Sequence, residues 1–272
     1  MSVSWAIRPP HPVLQPLVSR YIGYEQHDVA LSVHRGLPSR HVTLIISLQD
    51  PVRMSGRAGP VSMQGLVGGL RTEPVLISQD RTLRGIHIEL HPFGVRTLLG
   101  VSAAELSGRV VGLDELGWPA LAELPDRLAS MLTWSERFGI LDDVLAAKAS
   151  EPLSVAAELG EAWRLMLGTG GRVPIADVAD EIGWSRRHFG ERFRDEIGLA
   201  PKQAARILRF ERAGALLRRG HLDLAGLAVE CGYYDQAHLS NEWRTLAGCS
   251  PRTWIVEELP FLQDDSVFAG QD

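Results

Sequence analysis

One internal repeat constrains the fold of this chain more than any other feature of its sequence. Residues 175–184 (IADVADEIGW) align with residues 224–233 (LAGLAVECGY) at an offset of 49. After one inserted residue the match continues at an offset of 50, where His188 corresponds to His238 and Pro201 to Pro251. A repeat of only two copies is too short for a solenoid, so it predicts a duplicated supersecondary unit.

Each copy is typical of two short helices joined by a glycine turn. In the first copy an apolar stripe at helical spacing leads to Gly183, where a positive φ angle is convenient for ending a helix. Ser185 then supplies an N-cap for a second helix, which is anchored by Phe189 and Phe193. The second copy has the equivalent turn, cap and anchors at Gly232, Asp235, Leu239 and Trp243. This pattern is the signature of a helix-turn-helix unit.

The second helix of each copy carries a polar face opposite its apolar anchors, at 100° per residue. Arginine, glutamine, asparagine, serine and histidine are the side chains that reach base edges and phosphates in a major groove. A single polar face usually means only a solvated surface, but two copies with matched turns and caps favour DNA binding. The outward residues are Arg187, Gly190, Glu191 and Arg194 in the first copy, and Ala237, Ser240, Asn241 and Arg244 in the second, with Gln236 and His238 on the flanks.

Four residues of the repeat have a second interpretation or a role other than DNA contact. His188 and His238 share one position after the cap, so a structural role stays open for both beside DNA contact. Glu191 either accepts from a cytosine amino group or is only a surface charge. Cys231 falls on an apolar position of the repeat, which predicts a buried core residue rather than a reactive thiol.

A long helix is predicted between the two copies, over residues 201–220. Arg206, Arg209 and Arg212 give it a basic side, and leucines and an isoleucine give it an apolar one. A rigid connecting helix would hold the two recognition helices at a fixed separation. Entry into successive major grooves on one side of a duplex requires a separation of about 34 Å.

The motifs of the repeat resemble a known family. Residues 227–254 (LAVECGYYDQAHLSNEWRTLAGCSPRTW) match the second-motif signature of the AraC/XylS family of bacterial transcription regulators nearly throughout. Residues 178–201 (VADEIGWSRRHFGERFRDEIGLAP) fit the first motif in register. The resemblance covers residues 172–255 and implies seven helices with two helix-turn-helix units joined by a long helix. It also implies a sequence-specific DNA-binding regulator rather than an enzyme.

The resemblance carries over residue positions as well. It implies base contacts from Arg187, Gly190 and Glu191 in the first recognition helix, and from Gln236, Ala237, His238 and Asn241 in the second. Phosphate contacts are expected from Ser185, Arg186 and Arg194. Gly190 and Ala237 depart from the usual polar choice and cannot hydrogen-bond a base through a side chain. Ala237 can still contact a thymine methyl group.

The rest of the sequence predicts an α+β chain. Runs rich in valine, isoleucine and leucine at 41–48, 74–78 and 83–90 predict a small β-barrel or sandwich over residues 1–95. A helical pattern over 96–167 predicts a helical linker and dimerisation region. A homodimer is expected through the helices at about 120–167, because their leucine-rich faces exceed what a short β-domain needs. The glycines at 168–171 place the start of the DNA-binding domain, 168–256, and an acidic tail follows at 257–272. The family resemblance implies a cupin-like sensor domain for a small-molecule effector.

One short motif raises the question of a metal. His87, Glu89 and His91 alternate along a predicted strand, and two histidines with a carboxylate form a metal-ligand set. No matching His-x-His element accompanies them, so hydrogen-bonded strand residues are expected instead, and no cofactor is predicted. The apolar strands either line a pocket for a small organic ligand or form a core.

Composition argues against several other classes. No apolar run reaches the roughly 18 residues of a membrane span, and the first residues lack a signal-peptide pattern. The two cysteines, Cys231 and Cys249, form neither a disulfide framework nor a zinc motif. A DNA-repair methyltransferase fused to a DNA-binding domain would need cysteines before residue 231, and the sequence has none there. A bacterial cytoplasmic protein is expected, associated with the nucleoid when it is bound to DNA.

One rival function stays open. The net charge is −5, and residues 172–254 hold 13 Lys and Arg against 11 Asp and Glu, a net of only +2. A helix-turn-helix module that binds proteins without specific DNA binding is therefore the alternative. The expected partners are double-stranded DNA, a small-molecule effector, a second copy of the chain and, for an activator, RNA polymerase.

Overall fold

The computed structural model describes residues 2–29, 32–56, 59–149 and 155–258. The chain divides into two compact units. Unit 1 comprises residues 1–34, 41–70 and 75–154, and unit 2 comprises residues 35–40, 71–74 and 155–272. Within the described ranges, no helix combines the length and the apolar composition needed to span a bilayer.

The N-terminal part is built on two antiparallel sheets. Its strands are β1 (Ser2–Arg8), β2 (Val18–His27), β3 (Val33–Gly36), β4 (Val42–Ser47), β5 (Val52–Gly56), β6 (Gly59–Met63), β7 (Gly65–Gly68), β8 (Val75–Ser78), β9 (Thr82–Leu90) and β10 (Val110–Gly112). One sheet has the order β1-β2-β9-β4-β7-β10 and the other the order β3-β8-β5-β6. The β-rich fold class is confirmed, and among the described residues the two sheets do not close into a barrel.

The central strand β9 shows why the larger sheet forms. Alternate residues point to opposite faces of a strand, and Ile86 and Ile88 are fully buried on one of them. Helices cover this face, where the ring of Tyr21, the cross-strand partner of Ile88, stacks on Phe138 at 5.7 Å. His87 and Glu89 lie on the opposite face, where Glu89 pairs in register with Arg20 of β2 and Thr43 of β4.

Short helices complete unit 1. They are α1 (Val95–Leu99), α2 (Ala103–Leu106), α3 (Pro119–Ala122), α4 (Leu124–Ala129) and α5 (Trp134–Ala146). The leucines that suggested a dimer interface are buried in the core of their own unit. The fully buried ones are Leu121, Leu124, Leu128, Leu141 and Leu145. The excess of leucine is therefore explained by packing within one chain, and it no longer argues for a dimer.

Unit 2 contains seven helices among its described residues. They are α6 (Ala157–Gly168), α7 (Ile175–Glu181), α8 (Arg186–Ile197), α9 (Pro201–Arg218), α10 (Leu224–Glu230), α11 (Gln236–Ala247) and α12 (Pro251–Glu257). The expected long helix between the copies is α9. The rings of Phe210, Trp243 and Trp254 form the core around it, with centroids 4.6 Å apart for Phe210 and Trp243 and 5.4 Å for the two tryptophans.

The boundary of this unit differs from the one expected at residue 168. Helix α6 packs on α7, α8 and α9, where Trp163 lies 6.0 Å from the ring of Phe193 and Met166 is fully buried. The helical unit consequently starts at residue 155, and the segment 155–167 is part of it rather than of a separate dimerisation region. The acidic tail lies outside the described residues from position 259 onward.

Candidate nucleic-acid interface

The two helix-turn-helix units end their first helices in the same way. Gly183 and Gly232 adopt φ angles of +71° and +77°, a left-handed conformation that favours glycine. The following residue closes the turn onto the helix, as Trp184 N–H donates to the carbonyl of Ala179 at 2.9 Å. In the second unit Tyr233 N–H donates to the carbonyl of Ala228 at 2.8 Å. Both turns therefore have one geometry, as the repeat predicts.

The recognition helices α8 and α11 are capped as expected. The Ser185 side chain accepts from the backbone N–H of His188 at 3.2 Å, and Asp235 accepts from His238 at 2.7 Å. Each helix has 12 residues and ends at a glycine with positive φ, Gly198 or Gly248. These local interactions set the length and the start of the two helices independently of the rest of the chain.

The histidines that follow the caps have a shared structural role. The His188 ring meets Trp184 edge-on at 4.6 Å, and the His238 ring meets Tyr233 at 5.4 Å. Nδ1 of His238 also accepts from the backbone N–H of Tyr234 at 3.2 Å. Both rings brace the turn against the recognition helix.

The apolar anchors separate the candidate residues from the core. Phe189, Phe193, Leu239 and Trp243 are fully buried. Ten of the twelve candidates are exposed, and Gly190 and Ser240 are half-buried. The exposed ones are Ser185, Arg186, Arg187, Glu191, Arg194, Gln236, Ala237, His238, Asn241 and Arg244. The structure thus places each set on the outer surface of one helix.

Two contacts order the exposed side chains. On α8, Nε of Arg187 donates to Oε1 of Glu191 at 2.9 Å. On α11, Nη1 of Arg244 donates to Oδ1 of Asn241 at 3.1 Å. Each contact joins an arginine to an acceptor on its own helix, but only the contact on α8 pairs opposite charges, because the acceptor on α11 is a neutral amide.

The basic side of α9 is used within the unit. Nε of Arg206 donates to Glu242 of α11 at 2.6 Å, and Nη2 of Arg212 lies 3.4 Å from Glu230 at the end of α10. Arg209 donates through Nη1 to the carbonyl of Gly171 at 2.8 Å. These arginines attach the connecting helix to the second helix-turn-helix unit and to the segment before α7.

A surface cleft adjoins the first recognition helix. It has a volume of about 560 Å³ and is bounded by the starts of α7, α8 and α9, with Arg186 and Lys202 as its cationic residues. Gly190 leaves it open, because no atom lies within 4 Å of the position that a Cβ would take.

Two exposed residues beside the recognition helices were not among the predicted site residues. They are Lys202 of the cleft and Tyr234, which is 88% exposed in the second turn. Both residues lie close in sequence to a recognition helix, and this position could have identified them as candidates.

Cys231 is a buried core residue, as its place in the repeat predicts. It has no exposed surface, and desolvation raises the pKa of its thiol to about 11. A thiol in this state is protonated at neutral pH and is a poor nucleophile.

The residues considered for a metal are held by other contacts. Arg20 donates through Nε and Nη2 to the two carboxylate oxygens of Glu89 at 2.8 and 2.9 Å. His41 lies 3.4 Å from Glu89, and its ring is 5.7 Å from that of His91. Burial would raise the pKa of Glu89, but His41 and Arg20 outweigh it and hold the pKa at about 2. In the described part of the chain, no group of three or more His, Cys, Asp or Glu has a metal-binding arrangement.

Comparison with known families divides the chain at a similar place. A family model described as a helix-turn-helix domain matches residues 159–255, and a domain of unknown function (DUF6597) matches residues 7–112. The HTH-type transcriptional activator RhaS of Escherichia coli (strain K12 / DH10B) is 32% identical over 86 residues, or 32% of this chain. The chain covers 31% of the length of RhaS, and the match is therefore confined to one part of each protein.

Solved structures extend the comparison to both units. ToxT from Vibrio cholerae O395 has a TM-score of 0.50 at 10% identity, covering 87% of this chain and 96% of ToxT. ToxT bound to (E)-4-(8-methylnaphthalen-1-yl)but-3-enoic acid also has a TM-score of 0.50, at 10% identity, with coverages of 94% and 99%. At this identity the likeness shows a common fold. The helix-turn-helix match and the RhaS segment therefore show that residues 159–255 are similar to the helix-turn-helix domain of a transcriptional activator, and ToxT shows the fold of the whole chain.

Proposed function

We propose that this chain is a sequence-specific DNA-binding transcription regulator. The observation that carries the proposal is the duplication itself: two helix-turn-helix units with the same turn, cap and anchor geometry each expose one polar helix face. A surface that only faces solvent does not require a second copy of the unit joined by a rigid helix. We infer that the two faces, joined by α9, enter two successive major grooves of a duplex, which lie about 34 Å apart.

In this proposal each recognition helix contacts both base edges and phosphates, through different residues. Base edges are contacted by Arg187, Gly190 and Glu191 of α8 and by Gln236, Ala237, His238, Ser240 and Asn241 of α11. Phosphates are contacted by Ser185, Arg186, Arg194 and Arg244. Phosphate contacts fix the register of the protein on DNA, and base contacts select the sequence.

Unit 1 is the proposed effector-binding part. ToxT has been solved with a bound naphthalenyl butenoic acid, and this chain shares the ToxT fold. By analogy, a small organic molecule binds unit 1 and changes DNA affinity or transcription. A screen of small organic ligands for shifts in the melting temperature of the full chain tests this step. Ligands that shift the melting temperature without changing DNA affinity or transcription would contradict a regulatory role.

Two partners complete the proposal. We infer a homodimer, which must use surface other than the buried leucines, for example around Leu132, which is 87% exposed. A monomeric mass by light scattering at micromolar concentration would contradict it. RNA polymerase is the second partner if the chain activates transcription, as RhaS is described to do. The chain then acts in the bacterial cytoplasm, on the nucleoid.

Selection of binding sites from random duplex DNA tests the function directly. The full chain is expected to enrich two short blocks one helical turn apart. Affinity for the selected site should fall with salt, by a slope of about 0.9 per phosphate contacted. An intact fold by circular dichroism with no enriched motif and no salt dependence would favour the alternative, a protein-binding helix-turn-helix module. The observation that supports this alternative is the Arg187–Glu191 pair, because the carboxylate offsets a positive charge on the face proposed to read DNA.

A further inference from the structure

Matched positions on α8 and α11 carry different base-reading chemistry. Both helices have 12 residues and begin directly after their caps, so the second and sixth residues of the two helices correspond. The second residues are Arg187 and Ala237, and the sixth residues are Glu191 and Asn241. All four are exposed. The two units therefore share one backbone frame but present different side chains at the same places in it.

On α8 the two outward groups fit a G·C pair. The bond from Arg187 to Glu191 uses Nε, so the two Nη nitrogens are left for a contact to DNA. Paired arginine donors match the O6 and N7 acceptors of guanine, and a carboxylate oxygen accepts from the N4 amino group of cytosine. The contact between the side chains places this donor pair and this acceptor side by side.

On α11 the same two positions fit an A·T pair. The contact from Arg244 to Oδ1 of Asn241 holds the amide in one orientation and leaves Oδ1 a second lone pair. An asparagine amide accepts from N6 of adenine and donates to N7, which no other base offers together. The methyl group of Ala237 has no polar atom, and its favourable contact in a major groove is the C5 methyl of thymine.

We propose that α8 reads a block that requires G·C pairs and that α11 reads a block that requires A·T pairs. The inference rests on the proposed function, because it assigns base preferences to a DNA-reading surface. A site with two unlike blocks has a direction, so each chain binds it in one orientation. Positions 191 and 241 contribute to the difference beside Arg187 and Ala237, since a carboxylate and an amide select different bases at the same place on the two helices.

Site selection with the full chain tests this inference, and the repeat supplies the variants. Wild type is expected to select two blocks, one that requires G·C and one that requires A·T. Exchanging a required pair for the other kind is expected to weaken binding about tenfold or more. Glu191→Asn should move the first block toward A·T and leave the second unchanged. Asn241→Glu should alter only the second block.

The outcomes separate this inference from the function on which it rests. Both positions are exposed and neither is a cap or an anchor, so circular dichroism is expected to show an intact fold for both variants. Two blocks of the same composition, or an exchange that alters the other block, would overturn this assignment of base pairs to the two helices and leave specific DNA binding intact. Selection of no motif by the wild-type chain would overturn both proposals.

Discussion

Arg187 and Glu191 form an ion pair one turn apart on the first recognition helix, with Nε of the arginine 2.9 Å from Oε1 of the glutamate. The arginine side chain is 88% exposed, so the pair contributes little to the stability of the fold. The pair instead affects the conformation of the arginine side chain on the outward face of α8. In the proposed complex with DNA it would restrain a long side chain before binding, which lowers the entropy lost when that side chain contacts a base.

Removal of Arg187 should therefore affect specific binding more than non-specific binding. Arg187→Ala is expected to weaken binding to the selected site about 10- to 100-fold, because a bidentate arginine contact discriminates bases by about 1–3 kcal/mol. Binding to random DNA should fall far less. The matched control is Arg192→Ala, which removes the same charge from an exposed position of α8 outside the candidate set. Equal losses on selected and random DNA in a fluorescence-anisotropy titration would contradict a base-reading role.

Two glycines of the first unit should respond to alanine with opposite signs. Gly183 has a φ angle of +71°, so Gly183→Ala is expected to destabilise the fold by about 1–2 kcal/mol. Gly190 lies inside α8 with open space at the Cβ position, so Gly190→Ala should stabilise it by about 0.5–1 kcal/mol. Urea denaturation of the full-chain variants measures both. A change of the same sign at both positions would show that backbone conformation is not the controlling factor.

Turns, caps and anchors of the repeat could be predicted because short-range chemistry decides them. Ser185, Asp235 and the two turn glycines act on backbone groups within a few residues. The boundary at residue 168 could not be predicted in this way. A Cβ on Gly171 would lie 2.3 Å from the carbonyl oxygen of Ala205, so this glycine serves close packing on α9 rather than a flexible linker.

The β-rich unit was predicted less completely for a related reason. The runs at 41–48, 74–78 and 83–90 correspond to β4, β8 and β9, since each is apolar enough to be identified alone. Strand β2 mixes glycine, tyrosine and charged residues, and it is a strand because β1 and β9 pair with it on either side. Likewise the partner of Glu89 is Arg20, 69 residues away, and a motif read along one strand could not identify it.

The connecting helix should contribute stability rather than DNA affinity. Arg206 is bonded to Glu242, so Arg206→Ala is expected to cost about 1–2 kcal/mol of unfolding free energy. The salt dependence of DNA binding should stay as in wild type. Arg186→Ala is the comparison variant, since loss of one phosphate contact lowers the slope by about 0.9. A lowered slope for Arg206→Ala would show that α9 contacts the DNA backbone.

The Glu89–Arg20 pair of unit 1 makes stability depend on acid pH. The pKa of Glu89 is lowered from 4.5 to about 2, because His41 and Arg20 outweigh the effect of burial. A lowered pKa contributes stability that is complete above the unfolded-state pKa and is lost as pH falls toward the folded-state value. The contribution is therefore expected in full above pH 4.5 and absent near pH 2.

Glu89→Gln tests this dependence by removing the charge while keeping the shape of the side chain. It is expected to lower the free energy of unfolding by about 2 kcal/mol at pH 7, because hydrogen bonds to charged groups contribute about 1.5–3 kcal/mol. The difference from wild type should be complete at pH 5 and smaller at pH 4 and again at pH 3 in denaturation experiments. Asp80→Asn is the control, since Asp80 pairs with Arg53 on an exposed surface and its loss should cost well under about 1 kcal/mol. A difference between wild type and Glu89→Gln that is independent of pH would mean that packing, and not the charge of Glu89, is what the substitution disturbs.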